Sequence, residues 1–215
     1  MREKHWTYYP DVAASIAHYF PAALKGRPTR TIRVAEVGTM FGGLAEHLLS
    51  ALPGVEVFVV DPFLAGYDQG DQMSKKYSKV MKEMNGSARE LSDAWALGMA
   101  HDLTSRHGCR YRLFHEKSLE AVHRFENLVF DVIFVDGLHT FAGVAADLAA
   151  YWPLVNSKKG ILIGNDFRIP WFPGVQKAFR SFVSQHPEVE MIEGHRGVPP
   201  GDGNVLLRRK GSVQI

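Results

Sequence analysis

The stretch TIRVAEVGTMFGG, residues 31–43, decides the fold class of the chain. A β-branched run ends at Val37, a turn carries Gly38 and Gly42, and Leu44, Leu48 and Leu52 then recur at helical spacing. Strand, glycine turn and helix in that order open a parallel sheet covered by helices. Glycine lets backbone come close to a bound group, and a helix start offers free N–H donors with partial positive charge. A nucleotide-like ligand is expected there. The spacing Glu36-x-Gly38-x-x-x-Gly42 departs from the G-x-G-x-x-G dinucleotide fingerprint and carries no P-loop lysine, which argues against NAD and ATP.

Working outward, runs of strand character lie at 55–60 (VEVFVV), 109–114 (CRYRLF), 131–136 (DVIFVD) and 160–166 (GILIGND). Helical stripes fill most of the gaps: Phe141, Val144, Leu148, Trp152 and Val155, then Val175, Phe179, Phe182 and Val183. The final runs, 189–193 and 204–209, are separated only by GHRGVPPGDG and therefore read as an antiparallel hairpin. An N-terminal helix over 11–24 leads into the connector KGRPTR. Residues 62–108 are too long for one helix and its connections. Residues 88–106 suit a helix with Leu91, Ala94, Trp95 and Met99 on one face, and 63–87 reads as a flap or lid. The expectation is one α/β domain over 1–215, doubly wound, with seven strands mostly parallel and helices on both faces.

The composition agrees. With 215 residues, 46% hydrophobic and 22% charged, the chain has ordinary globular balance, which excludes disorder and coiled-coil arrays. A single cysteine, Cys109, in an apolar-alternating run cannot close an internal disulfide and points to a reducing compartment. A net charge of +2 with scattered basic residues gives no footprint for nucleic acid. The opening MREKHWTYYP lacks the apolar core of a signal peptide, and no window reaches 18 uncharged apolar residues. A soluble, cytoplasmic protein with no membrane partner is expected. Trp6, Tyr8 and Tyr9 suit a cover for the site, a partner subunit in a homo-oligomer, or a cap on the core.

The chemistry concentrates at strand ends. Glu36 places a carboxylate where it would repel a pyrophosphate but suit an ammonium or sulfonium, and S-adenosylmethionine carries both. Asp61, twenty-five residues on, closes the second strand where an acid accepts from ribose hydroxyls. Thr39, inside the glycine turn, is counted with the cofactor contacts. Ser118 stands at a helix start beside any adenine held over the third strand, or serves as a plain N-cap. Asp136 and the pair Asn165–Asp166 end the fourth and fifth strands, where three oxygen-bearing side chains suit a divalent ion such as Mg²⁺. The alternative has Asp136 binding the amino-acid end of the cofactor and Asp166 capping a turn. His139 falls at the expected start of a helix over 139–155, whose field disfavours the imidazolium and would leave a neutral general base. Asp68 and Asp71 could bind a metal, but in a glycine-rich flap they read as solvated turn acids. Trp171 and Phe172, between prolines, either wall an acceptor pocket or pack the last helix.

Together these residues resemble the class I S-adenosylmethionine-dependent methyltransferases, over about Val34 to Arg209. The chain is most similar to metal-dependent small-molecule O-methyltransferases of the catechol and macrolide-sugar kinds. It also resembles a broad group of methyltransferases with a D-G-x-H motif, here Asp136 to His139. The resemblance implies a Rossmann-like fold, S-adenosylmethionine bound at Glu36, Gly38, Gly42 and Asp61, metal at Asp136, Asn165 and Asp166, and His139 as base. Two features depart from the family pattern: Glu116 and Lys117 precede the adenine-side serine, and the amide precedes the acid in Asn165–Asp166. The reaction it implies is methyl transfer to an oxygen of a small hydroxylated acceptor. The alternatives are metal-independent N-, C- or O-methylation and a non-catalytic protein that binds S-adenosylmethionine.

Overall fold

The strand runs are apolar on both faces, so a sheet built from them needs helices above and below. The structure, a computed structural model, describes residues 9–25, 30–64, 68, 70–71, 93–195 and 199–211. Helix α1 (Tyr9–Tyr19) and a 3-10 turn (Pro21–Leu24) precede β1 (Ile32–Val37), α2 (Gly43–Ala51) and β2 (Val55–Val60). Then come α3 (Asp93–His107), β3 (Tyr111–Phe114), the short α4 (Ser118–Ala121), β4 (Val132–Val135), α5 (Phe141–Tyr151), β5 (Ile161–Gly164) and α6 (Pro173–Gln185). The hairpin β6 (Val189–Glu193) and β7 (Val205–Arg209) closes the chain order.

The seven strands form one sheet in the order β3-β2-β1-β4-β5-β7-β6. The first five run parallel, and β7 is antiparallel to both β5 and β6. This is the doubly wound, Rossmann-like arrangement expected, with the order reversing direction beside β1. Alternation along the strands feeds two cores. Ala35, Val37, Phe58, Ile133, Val135 and Leu162 pack under α5 and α6, while Val34, Val57, Val59, Val132 and Phe134 pack under α1 and α2. A smaller cluster of Phe41, Phe63, Ala96 and Ala100 sits where α3 meets the turns after β1 and β2.

Register sets the site. Phe114, Val60, Val37, Val135 and Gly164 pair in sequence across β3, β2, β1, β4 and β5, so five strands end in one row. Asp61, Gly38, Asp136 and Asn165 each follow that row by one residue.

Two details differ from expectation. The third strand starts at Tyr111 because Gly108–Arg110 form a 3-10 turn, which leaves Cys109 exposed outside the strand. Helix α5 starts at Phe141 rather than 139, because Thr140 takes the N-cap and accepts from Gly143 N–H at 3.1 Å. Helix α3 is described from Asp93, and Trp95 and Met99 pack against the small cluster. Most of the 63–87 flap, with Leu91, Trp6 and Tyr8, lies outside the described residues. Among the described residues no helix is long and apolar enough to cross a membrane.

Gly164, the last residue of β5, has no room for a side chain: a Cβ would stand 2.0 Å from the ring of buried Phe179. Gly164→Ala is expected to lower unfolding free energy by about 1–3 kcal/mol through overpacking, and Phe179→Leu in the same chain to recover part of it. Urea unfolding checks this; an additive pair of losses would refute the contact.

Candidate active site

The row of strand ends is held together by backbone contact. Gly38 has φ +86°, and a Cβ there would lie 2.1 Å from the Asp136 carbonyl oxygen. The β1 and β4 turns therefore touch, and glycine at 38 is required by that contact before any ligand is considered. Gly42, at φ +84°, sets the entry to α2, where a Cβ would meet Leu103 of α3 at 2.7 Å.

Asp61 braces the glycine turn. Its Oδ2 accepts from Thr39 N–H at 2.8 Å and Met40 N–H at 2.9 Å, and its Oδ1 accepts from Phe63 N–H at 2.7 Å. Met40 and Phe63 are held at φ 61° and 47°, and Asp166 at 57°. Left-handed backbone at non-glycine residues is strained, and here all three cases fall at strand ends along the rim.

Glu36 is 1% exposed, and its Oε2 has no hydrogen-bond partner; the buried hydroxyls of Thr39 and Tyr111 have none either. Burial pushes the Glu36 carboxyl up to about 8, reinforced by the negative field of Asp136 and Asp61. Orphaned acceptors beside the N-terminus of α2 fit a ligand that brings an amino-acid end with a cationic head. The residues expected to hold the cofactor, Glu36, Gly38, Thr39, Gly42 and Asp61, are thus gathered in one place.

A second group lies one strand over. Asp136, His139 and Asp166 each present a ligand atom, all within 4.8 Å of one another. His139 Nε2 stands 3.0 Å from Asp166 Oδ2 and 3.9 Å from Asp136 Oδ1. Asn165 lines the same small cavity as Asp136 and His139, its N–H donating to the Val135 carbonyl at 3.0 Å. Two carboxylates, an imidazole and an adjacent amide suit a divalent ion. The close set includes His139 itself, which spacing alone had assigned only as a base.

The neutral His139 expected from a helix terminus is corrected. The residue precedes the N-cap and is surrounded by acids. Burial alone would pull its pKa down, but hydrogen bonds to Asp166 and Asp71 and the field of Asp136 raise it to about 10. Asp71 is the residue that sequence reasoning missed. It is 3% exposed, and its Oδ2 accepts from both His139 N–H and the Nδ1 ring nitrogen at 3.0 Å. A glycine-rich, polar neighbourhood resembles any solvated turn, and only the tertiary approach to His139 distinguishes it.

The two aromatic candidates separate. Phe172 is 5% exposed and stacks on the His139 ring at 4.2 Å, whereas Trp171 is 53% exposed and meets Phe172 edge-on at 6.3 Å. One packs the site and the other rims it. Ser118 is the first residue of α4, with Lys117 at the N-cap, so the plain N-cap reading is corrected.

Residues 35–167 match the sequence profile of the Methyltransferase domain family. No curated protein matches the chain in sequence. The fold is similar to that of the O-methyltransferase NovP, at TM-score 0.60 and 15% identity over 94% of this chain and 78% of that one. It is similar to human methyltransferase-like protein 13 in complex with SAH, at 0.55 and 14% over 97% and 84% of the two chains. A Streptococcus thermophilus rRNA methylase gives 0.52 and 11% over 94% and 93%. The chain belongs to the methyltransferase domain family and is a class I, S-adenosylmethionine-dependent methyltransferase.

The Glu36 assignment carries a pH signature. A carboxyl raised from its ordinary value to about 8 on folding makes the native state bind the extra proton between those pH values. Stability therefore falls as pH climbs from about 4.5 to about 8, by at most roughly 1.4 kcal/mol per unit, and levels above. Glu36→Gln is expected to remove this slope, so that its melting temperature gains on the parent as pH rises. A difference between the two that ignores pH would refute the buried acid.

Proposed function

We propose that the protein transfers the methyl group of S-adenosylmethionine to an oxygen of a small hydroxylated acceptor, assisted by Mg²⁺ or another divalent ion. The observation that carries this reading is the convergence of Asp136, His139 and Asp166 on one point of the rim, next to the cradle of Glu36, Thr39 and Asp61. When bound, the cofactor supplies an electrophilic methyl carbon on a sulfonium, and the ion lowers the pKa of the acceptor hydroxyl.

The chain's own residues supply alignment and proton transfer. Glu36, Thr39 and the start of α2 receive the amino-acid end, Asp61 the ribose, and Ser118 the side of the base. Asp136, Asn165 and Asp166 hold the ion. His139, whose imidazolium is no longer favoured once a cation answers Asp136 and Asp166, takes the acceptor proton at Nε2, the nitrogen that faces Asp166. Asp71 keeps Nδ1 engaged and so fixes which nitrogen is offered. The acids around His139 stabilise the imidazolium that forms. Phe172 under the ring excludes water, and exposed Trp171 edges the acceptor pocket.

A metal-independent reading, with His139 as base alone, draws support from the hydrogen bonds that His139 already makes to Asp71 and Asp166. Titration with Mn²⁺ and turnover of a panel of catechols and sugars, read as release of S-adenosylhomocysteine, separate the two. Calorimetry is expected to show one ion bound by the wild type and none by Asp166→Ala. EDTA should abolish turnover and Mg²⁺ restore it. His139→Ala should lower kcat by about 10²–10⁴-fold and Asp71→Asn by about 10–100-fold. Full turnover in excess EDTA and in Asp166→Ala would leave the metal-free reading standing.

A further inference from the structure

The edge that carries the site continues past the metal cluster. Gly164, the end of β5, pairs with Val205, and Val205 pairs with Glu193. The tip of β6 therefore stands in the same row two strands away, at about 10 Å by the ordinary strand spacing. From β2 to β5 this edge carries Asp61, Asp136 and Asp166. At β6 the sign reverses. Arg168 Nη2 donates to Glu193 Oε2 at 3.1 Å, Arg180 Nη2 donates to Glu193 Oε1 at 2.7 Å, and His195 Nδ1 lies 3.3 Å from Arg168 Nη1.

Two guanidiniums on one carboxylate leave a single positive charge over. A tie between β6 and α6 would need only one arginine, and ion pairs as exposed as these contribute little to stability. The shared carboxylate instead holds the Arg168 fork in position. Among the described residues Arg168 meets Glu193 and His195 alone, so N–H donors of the fork remain uncommitted. Arg168 also belongs to the connection that builds the site. Residues 166–172, between β5 and α6, carry Asp166 of the cluster, then Arg168, then exposed Trp171, and the turn is closed by Ile169 N–H donating to the Asp166 carbonyl at 3.2 Å. The cradle expected for the cofactor occupies the β1 and β2 tips, so an acceptor that reaches the cluster from the other side lies along β5 toward β6.

We propose that Arg168, braced by Glu193, is a specificity-determining residue that selects a hydroxylated carboxylic acid as the acceptor. The reacting hydroxyl lies at the cluster, and the carboxylate, remote from it, takes the Arg168 fork, whose planar donors match two carboxylate oxygens. A monoanion balances the one charge that Glu193 leaves over. The inference rests on the O-methylation reading above, and the test separates the two.

Two matched pairs supply the test, 3-(3,4-dihydroxyphenyl)propanoate against its amide and glucuronate against glucuronamide, with S-adenosylmethionine and Mg²⁺ present and S-adenosylhomocysteine release measured. In the pair that it methylates, wild type is expected to prefer the acid by about 10- to 100-fold in kcat/KM, mainly through KM. Added salt should shrink that preference. Arg168→Gln is expected to bring the two within about threefold while kcat for the amide holds, and Arg168→Lys to keep part of the preference. Lys158→Gln, in the exposed turn before β5 at the opposite sheet edge, should keep all of it. Melting curves confirm that each variant folds. An arginine that only ties β6 to α6 would cost acid and amide alike, so an unchanged ratio in Arg168→Gln overturns the inference. Wild type that methylates the amides as well as the acids, or that methylates other catechols or sugars but neither pair, also overturns it, with O-methylation intact. Wild type that methylates no catechol or sugar removes the O-methylation reading and the inference with it.

Discussion

The contact between the turns after β1 and β4 is the constraint on which the site depends. With the Gly38 backbone against the Asp136 carbonyl, the two turns have a single relative position, and the Asp136 N–H donates to the Val37 carbonyl at 2.8 Å to secure it. Cradle and cluster are thereby locked at a fixed separation. Asp61 extends the lock sideways by tying the glycine turn to the turn after β2. Rigid placement of this kind suits a reaction whose barrier is lowered chiefly by alignment.

Electrostatics adds a second constraint. Glu36, Asp61, Asp71, Asp136 and Asp166 crowd one edge of a chain whose net charge is only +2. Backbone N–H groups answer Asp61, and His139 answers Asp71 and Asp166. Glu36 is answered by holding its proton, which burial favours. An edge that is locally negative attracts cations, and both a sulfonium and a divalent ion are cations.

The fold was legible because strand and helix periodicities differ and because parallel strands buried on both faces are apolar throughout, as in VEVFVV and DVIFVD. Glu36, Asp61, Asp136 and Asp166 were legible as candidate site residues because each lies within two residues of a strand's end, and parallel register carries strand ends to one edge. What the acids touch was not legible. Asp61 contacts backbone N–H groups that no spacing rule announces, and Gly38 answers to a neighbouring turn. Asp71 was read as solvated because its neighbours are polar; its burial comes from a partner sixty-eight residues away. His139 was read in the field of a helix because the helix start was placed two residues early, and a cap at Thr140 moves the residue out of that field and among the carboxylates.

The placement of β7 between β5 and β6 has a consequence for how the protein is made. Val205, Leu206 and Leu207 are fully buried, and they pair on both sides. Until the ribosome has released this segment, β5 presents an unpaired edge, and β6 has no neighbour to join. Completion of the sheet is thus deferred until residues 205–209 have been made, and the nascent chain must keep an adhesive strand from meeting other chains in the meantime.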